Sequence, residues 1–156
     1  MDNEKTIEVL NSLIVINNDR IEGYETASKE TEAGDLKSLF SDFQQTSFTC
    51  KSELLSEVNR LGGTPEEGTR VSGKFFRVWM DVKAALTGND RKFLLDSCEQ
   101  GEDVALEAYE NALAEENLST NMNLKDLFNK HHTALKADRD KVKQMRDASK
   151  QEKETM

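Results

Sequence analysis

The chain is short of almost everything that makes strands, staples or metal cages. Its 156 residues hold one proline, eight glycines, two cysteines, two histidines and one tryptophan, and aromatic residues make up 6% of the total. One proline excludes the turn-rich punctuation of sandwiches and barrels and leaves long helices uninterrupted. Two cysteines, Cys50 and Cys98, exclude a disulfide framework and a paired-cysteine zinc site, and both fall on apolar stripes, where buried reduced thiols are expected. The longest aliphatic run, Leu13 to Ile16, is far too short for a membrane span, and the start Met-Asp-Asn-Glu-Lys lacks the basic beginning of an export signal. A soluble, cytoplasmic protein is therefore expected. Positive charge is also scarce: 21 Lys+Arg against 30 Asp+Glu leave a formal charge of −9. That balance argues against nucleic acid and anionic membranes as partners, since both recruit Lys and Arg.

What the chain does have is helical periodicity. Four long segments and one shorter one carry apolar residues at three-then-four spacing. The first runs from about Glu4 to Thr31, with Ile7, Leu10, Ile14, Ile21 and Tyr24 on its stripe. Gly34 and Asp35 read as a stop followed by a cap. The second spans about Asp35 to Leu61, with Leu36, Phe40, Phe43, Cys50, Leu54 and Leu61 on its stripe, and ends at Gly62-Gly63-Thr64-Pro65, the strongest breaker present. A shorter helix from about Arg70 to Thr87 carries Val71, Phe75, Val78, Trp79, Val82 and Leu86, and Gly88-Asn89-Asp90 repeats the stop-and-cap signal. The fourth segment spans about Asp90 to Glu115 and the last about Ser119 to Ala148, so residues 1–150 form one domain and 151–156 a frayed charged tail.

Lengths fix the topology expected. Helices of roughly 27 residues are about 40 Å long, and short turns make the first two, and the last two, antiparallel neighbours. The stretch from Gly62 to Asn89, with a helix of its own, is long enough to return along the bundle. An all-α, ferritin-like four-helix bundle with a helical crossover between the second and third long helices is the expected fold.

Each long stripe is broken near its middle by a polar residue: Asn17, Ser47 (with Gln44 one turn away), Glu102 and His131. A central polar layer in such a bundle is where carboxylate-bridged metal pairs are built, from a Glu on each of two helices and Glu-x-x-His on each of the other two. The ligand inventory falls short of that. The histidines, His131 and His132, are adjacent, and Phe128 and Asn129 stand where a Glu would be needed. A single ion on Glu102 with His131 or His132, helped by Asp138, is the metal reading that remains. Against it stands a buried hydrogen-bonded network of Asn17, Glu102 and a histidine that sets helix register, provided Glu102 finds a donor. The residues favour the network, and with it no cofactor, over iron or another divalent metal. Tyr24 and Tyr109, inward at matching positions, read as core with tied hydroxyls. No phosphate loop and no Ser-His-Asp set occurs. Phe76 and Met80 lie off the main stripe of the short helix and suggest a self-association patch, hence a homodimer.

The run LIVINNDRIEGYETA from Leu13, the segment with RLGGTPEEG and VWMDVKAALTGND between Arg60 and Asp90, and the stretch CEQGEDVALEAYENAL from Cys98 together resemble a bacterial family of four-helix-bundle proteins in the ferritin-like superfamily, catalogued as a domain of unknown function. The resemblance covers nearly the whole chain. It implies a ferritin-like fold, a bacterial cytoplasmic origin and no established activity. In the wider superfamily, as in rubrerythrins, a ligand Glu stands seven residues before an inward tyrosine in the first and third long helices. Glu102 before Tyr109 matches that pattern; Asn17 before Tyr24 replaces the carboxylate by an amide; Gln45 and Phe48 stand where Glu-x-x-His is expected. The resemblance thus implies a bundle without an intact di-iron site and a structural or interaction role tied to stress, with a metal-binding protein or oxidoreductase as the alternative. A carrier of a small apolar ligand is a third class, which needs a cavity.

Overall fold

A computed structural model of the chain describes residues 3–68, 73–118 and 120–155. It consists of five α-helices and one 3-10 turn: α1 (Asn3–Glu30), α2 (Gly34–Arg60), α3 (Gly73–Thr87), α4 (Arg91–Leu113), the turn Glu116–Leu118, and α5 (Met122–Thr155). No strand occurs among the described residues, and none of their helices is long and apolar enough to cross a membrane.

Contacts between named residues give the helix directions. Arg20 meets Ser47 while Ile21 meets Gln44, so α1 and α2 are antiparallel. Tyr109 meets His131 while Asp103 meets Arg139, so α4 and α5 are antiparallel. Asn17 meets Tyr109 while Arg20 meets Glu102, and the same sense holds between α1 and α4. Glu53 meets His131, seven residues below the Thr46–Asp138 pair, which makes α2 and α5 antiparallel as well. Each long helix therefore runs opposite to both neighbours in a ring of four, and α2 and α4 run the same way. That arrangement forces the connection between them to return along the bundle. It does so beside α1, where Asn11 and Asn18 hold the carbonyls of Thr64 and Gly68.

The crossover helix α3 sits close because two helix-interior positions have no side chain. A Cβ on Gly23 of α1 would meet the Trp79 ring at 2.3 Å, and one on Gly101 of α4 would meet Val78 at 2.9 Å. Glycine costs a helix interior roughly 1 kcal/mol relative to alanine. Here that cost admits the indole of Trp79 onto the backbone of α1. The aromatic cluster of Tyr24, Phe40, Phe43 and Trp79, with centroids 5.1–5.5 Å from Tyr24, closes this end of the core.

Helix ends follow the sequence in part. Asp90 caps α4 through Phe93 N at 3.0 Å, as expected. The left-handed residue before it is Asn89 (φ 53°), not Gly88. The expectation for the first turn is corrected: Gly34 opens α2 rather than stopping α1, Ala33 is the capping position, and Asp35 bonds its neighbour Leu36 and Arg91. Thr31 takes up the Ala33 N–H instead. Both cysteines are free and buried. Arg70 and Val71, at the start expected for the crossover helix, and Ser119, at that of the last, lie outside the described residues, as does Met156 of the tail; α5 is helical to Thr155.

Candidate functional site

The buried stripe of α1 reads Leu10, Leu13, Ile14, Asn17, Arg20, Tyr24 and Ala27. Its fifth member is a fully buried arginine. Arg20 stands three residues after Asn17 and four before Tyr24, on the inward face, and Ile21, expected there, is half-buried at the edge. The guanidinium reaches across the centre of the ring to three other helices. Nη1 donates to Ser47 Oγ at 2.6 Å and to the Phe43 carbonyl at 3.4 Å on α2. Nη2 donates to Glu102 Oε1 of α4 at 2.8 Å and to Asp138 Oδ2 of α5 at 3.2 Å. The Tyr24 hydroxyl donates to the same Glu102 oxygen, and the Tyr24 and Phe43 rings lie 5.5 and 5.7 Å from the guanidinium carbon.

One cation thus faces two carboxylates at the heart of the bundle. Burial works against the charge on Arg20, but Glu102, Tyr24 and Asp138 outweigh it and hold the guanidinium charged. Burial pushes the Glu102 carboxyl up, and Arg20 and the Tyr24 hydroxyl pull against it. Asp138 follows the same balance, raised by burial and opposed by Arg20 and by a hydrogen bond from Thr46. Arg20 is suited to this place because it stays protonated and its planar fork can serve several oxygens at once. Among the described residues, Glu102 Oε2 and Arg20 Nε of this network, and Asn17 Oδ1 beside it, have no hydrogen-bond partner.

A second chain of hydrogen bonds lies beside it. Asn17 Nδ2 donates to Leu13 O and to the Tyr109 hydroxyl, at 2.9 and 3.0 Å. Tyr109 in turn donates to His131 Nδ1 at 2.9 Å, and His131 Nε2–H donates to Glu53 Oε1 at 3.2 Å. Burial lowers the His131 pKa against the opposing pull of Glu53, so the ring is neutral at pH 7, as this donor order requires. Cys50 lies within hydrogen-bonding reach of Tyr109, and burial lifts its thiol to about 11, which makes it inert. At the surface Lys130 pairs with Glu53 at 2.7 Å.

The four residues expected in a polar layer are all buried, but they divide between two networks. Ser47 and Glu102 belong to Arg20; Asn17 and His131 belong to Tyr109. His132 joins neither: it is partly exposed and stands 3.9 Å from Glu110. Gln44 bonds the Ile21 carbonyl at the edge of the α1–α2 seam. Among the described residues no three His, Cys, Asp or Glu side chains are grouped so as to hold a metal ion. Arg20 lies three residues and Ile21 four residues after Asn17, so the spacing admits either, and the charge of Arg20 made Ile21 the expected member.

The family described as Domain of unknown function (DUF2383) matches residues 5–115, which takes in α1 to α4 and both networks except their α5 members. No curated protein matches the chain. The match spans well over half of the sequence, and the chain belongs to this DUF2383 family.

Proposed function

We propose that this protein is a bacterial, cytoplasmic, ferritin-like bundle without a dinuclear metal site, and that it works as a structural or interaction protein through its surface. A ring of antiparallel helices with one helical crossover supports the ferritin-like part. The observation that carries the functional part is the position of Arg20. Its guanidinium lies between Glu102 and Asp138, the two carboxylates that face the centre, at 2.8 and 3.2 Å. A divalent ion there would have to expel a buried, charge-paired arginine and bring its own ligands. Glu102 matches a ligand position and His131 is turned to Tyr109, so the donors left for a metal are too few. On this reading a fixed organic cation does the register-setting work of the layer.

The test is calorimetric titration of the full chain, purified without chelator, with iron(II) under argon and with zinc. No stoichiometric heat for either ion supports the reading. Two equivalents of iron per chain, followed by an absorbance change on admitting air, would overturn it in favour of the oxidoreductase alternative.

A further inference from the structure

Between α1 and the crossover helix α3 lies a groove of about 290 Å³. Its wall is apolar, formed by Phe76, Trp79, Met80 and Leu86, with Phe76 and Met80 each 56% exposed. Set into it is Asp19, whose relative exposure is only 3% and whose two carboxylate oxygens both lack a hydrogen-bond partner among the described residues. The Trp79 indole N–H, in the same wall, lacks one among them too. A carboxylate kept buried and unpaired is costly.

We propose that this groove is a binding site for a small organic ammonium, with Asp19 as the counter-charge and Trp79 as the aromatic wall.

The chemistry of the lining selects that class. A purely apolar ligand would cover Phe76 and Met80 but leave Asp19 more deeply buried and still unpaired. Among the described residues an anion meets Asp19, Glu22 and Glu30 against one lysine, Lys83. A metal ion would find a hydrocarbon wall, and among the described residues the carboxylates of Asp19, Glu22 and Glu30 are not grouped so as to hold one. An ammonium group offers three donors to two waiting oxygens, and its positive charge is attracted to the face of an indole. An apolar body attached to it would take Phe76 and Met80 out of water. The volume sits at the small end of ligand pockets and suits a ligand of one ring or a short alkyl chain. This inference is independent of whether the centre of the bundle binds metal.

Trp79 is the only tryptophan, so intrinsic fluorescence reads the groove directly. The full chain is titrated at about pH 7 with phenethylammonium chloride, and in parallel with 2-phenylethanol, its uncharged near-isostere. Saturable change in Trp79 emission with the amine, at least about tenfold tighter than with the alcohol, is expected from one desolvated charge pair. Asp19→Asn should abolish that preference while the alcohol response stays. Lowering the pH to about 5 should weaken the amine as well, because Asp19, raised to about 6 by burial and by Glu22, then takes up a proton. Among the described residues Glu22, Glu30 and Lys83 are the other charged groups facing the groove, and Glu22→Gln should retain the preference.

Equal responses to amine and alcohol would overturn the proposal, since the groove would then be merely greasy. A preference that survives Asp19→Asn would do so too. Sizing against concentration, with Phe76→Ser as control, tests the rival occupant, a second copy of the chain. A dimer that Phe76→Ser abolishes and that phenethylammonium does not dissociate would overturn the ammonium assignment, and an unchanged elution volume supports it. Arg70, outside the described residues, follows Gly68, whose carbonyl bonds Asn18 beside Asp19. If Arg70→Ala tightens the amine about tenfold, the chain's own guanidinium is the occupant and the proposal fails.

Discussion

Replacing Arg20 by methionine keeps most of the side chain's length and removes its charge. The structure sets the size of the loss. Arg20 makes hydrogen bonds to four acceptors, two of them carboxylates, and is 1% exposed. Breaking a buried pair by removing one partner costs about 3–5 kcal/mol, because the other partner is left as an uncompensated charge. Glu102 can escape part of this by taking up a proton, which its burial already favours, so the lower half of that range is expected. In a domain of this size each kcal/mol moves the thermal midpoint by roughly 2–4 °C, and the variant should melt about 6–15 °C below wild type. Circular dichroism on heating and urea unfolding measure it. The paired change matters more. Arg20→Met with Glu102→Gln removes one of the two carboxylates left without their cation, Asp138 being the other, and the double variant should recover at least about 1 kcal/mol relative to strict additivity. A loss below about 1 kcal/mol for Arg20→Met, or simple additivity in the double variant, would refute the view that this ion pair organises the core.

Gly23→Ala pushes a methyl into the Trp79 ring at 2.3 Å; overpacking of about 1–3 kcal/mol should exceed the helix-propensity gain of roughly 1 kcal/mol, and a red-shifted Trp79 emission with a lower urea midpoint would register it. Tyr109→Phe leaves Asn17 Nδ2 short of one acceptor and His131 Nδ1 without a donor, which should cost about 1–3 kcal/mol by chemical denaturation. Asp19 binds its proton more tightly folded, at about 6, than unfolded. Unliganded wild type should therefore lose stability as pH rises from about 4 to 6, and the loss should be complete above that. Asp19→Asn should lack this fall and be the more stable protein near pH 7 in urea titrations at fixed pH. His131 has the opposite sign: its folded pKa is lowered, so its contribution is present above the unfolded histidine value of 6.5 and is lost as pH falls below it, a slope that His131→Gln should remove.

The helices were legible because their apolar residues keep register over many turns and few breakers intervene. Leu36, Phe40, Phe43, Cys50 and Leu54 are buried where the spacing of α2 puts them, while Leu61, the last of that stripe, is only half-buried just past the helix end. The crossover followed from chain length between Gly62 and Asn89. The polar layer was found as a set of interruptions, and Asn17, Ser47, Glu102 and His131 are indeed inside. The centre itself was not found, for a physical reason. Arginine is so rarely buried that Ile21, one residue on, looked the better member of the stripe, and the three-or-four count from Asn17 admits both. Partner choice is not a property of spacing: that Glu102 goes to Arg20 and His131 to Tyr109 depends on distances across four helices. Asp19 was equally silent, because its neighbours in the groove, Trp79 and Met80, come from the crossover helix some sixty positions away. Gly23 and Gly101, interior to their helices, acquire a reason only when Trp79 and Val78 are seen against them.

The most direct test of the guanidinium-centred core is nuclear magnetic resonance of the isotope-labelled full chain, observed before and after one equivalent of manganese(II). The account predicts slowly exchanging Arg20 guanidinium protons, shielded by Glu102, Asp138 and Ser47, and no paramagnetic broadening of these or of the Glu102 and His131 signals. Selective broadening of Glu102 and His131 at one equivalent, with loss of the protected Arg20 signals, would show that a metal takes the centre and would contradict it.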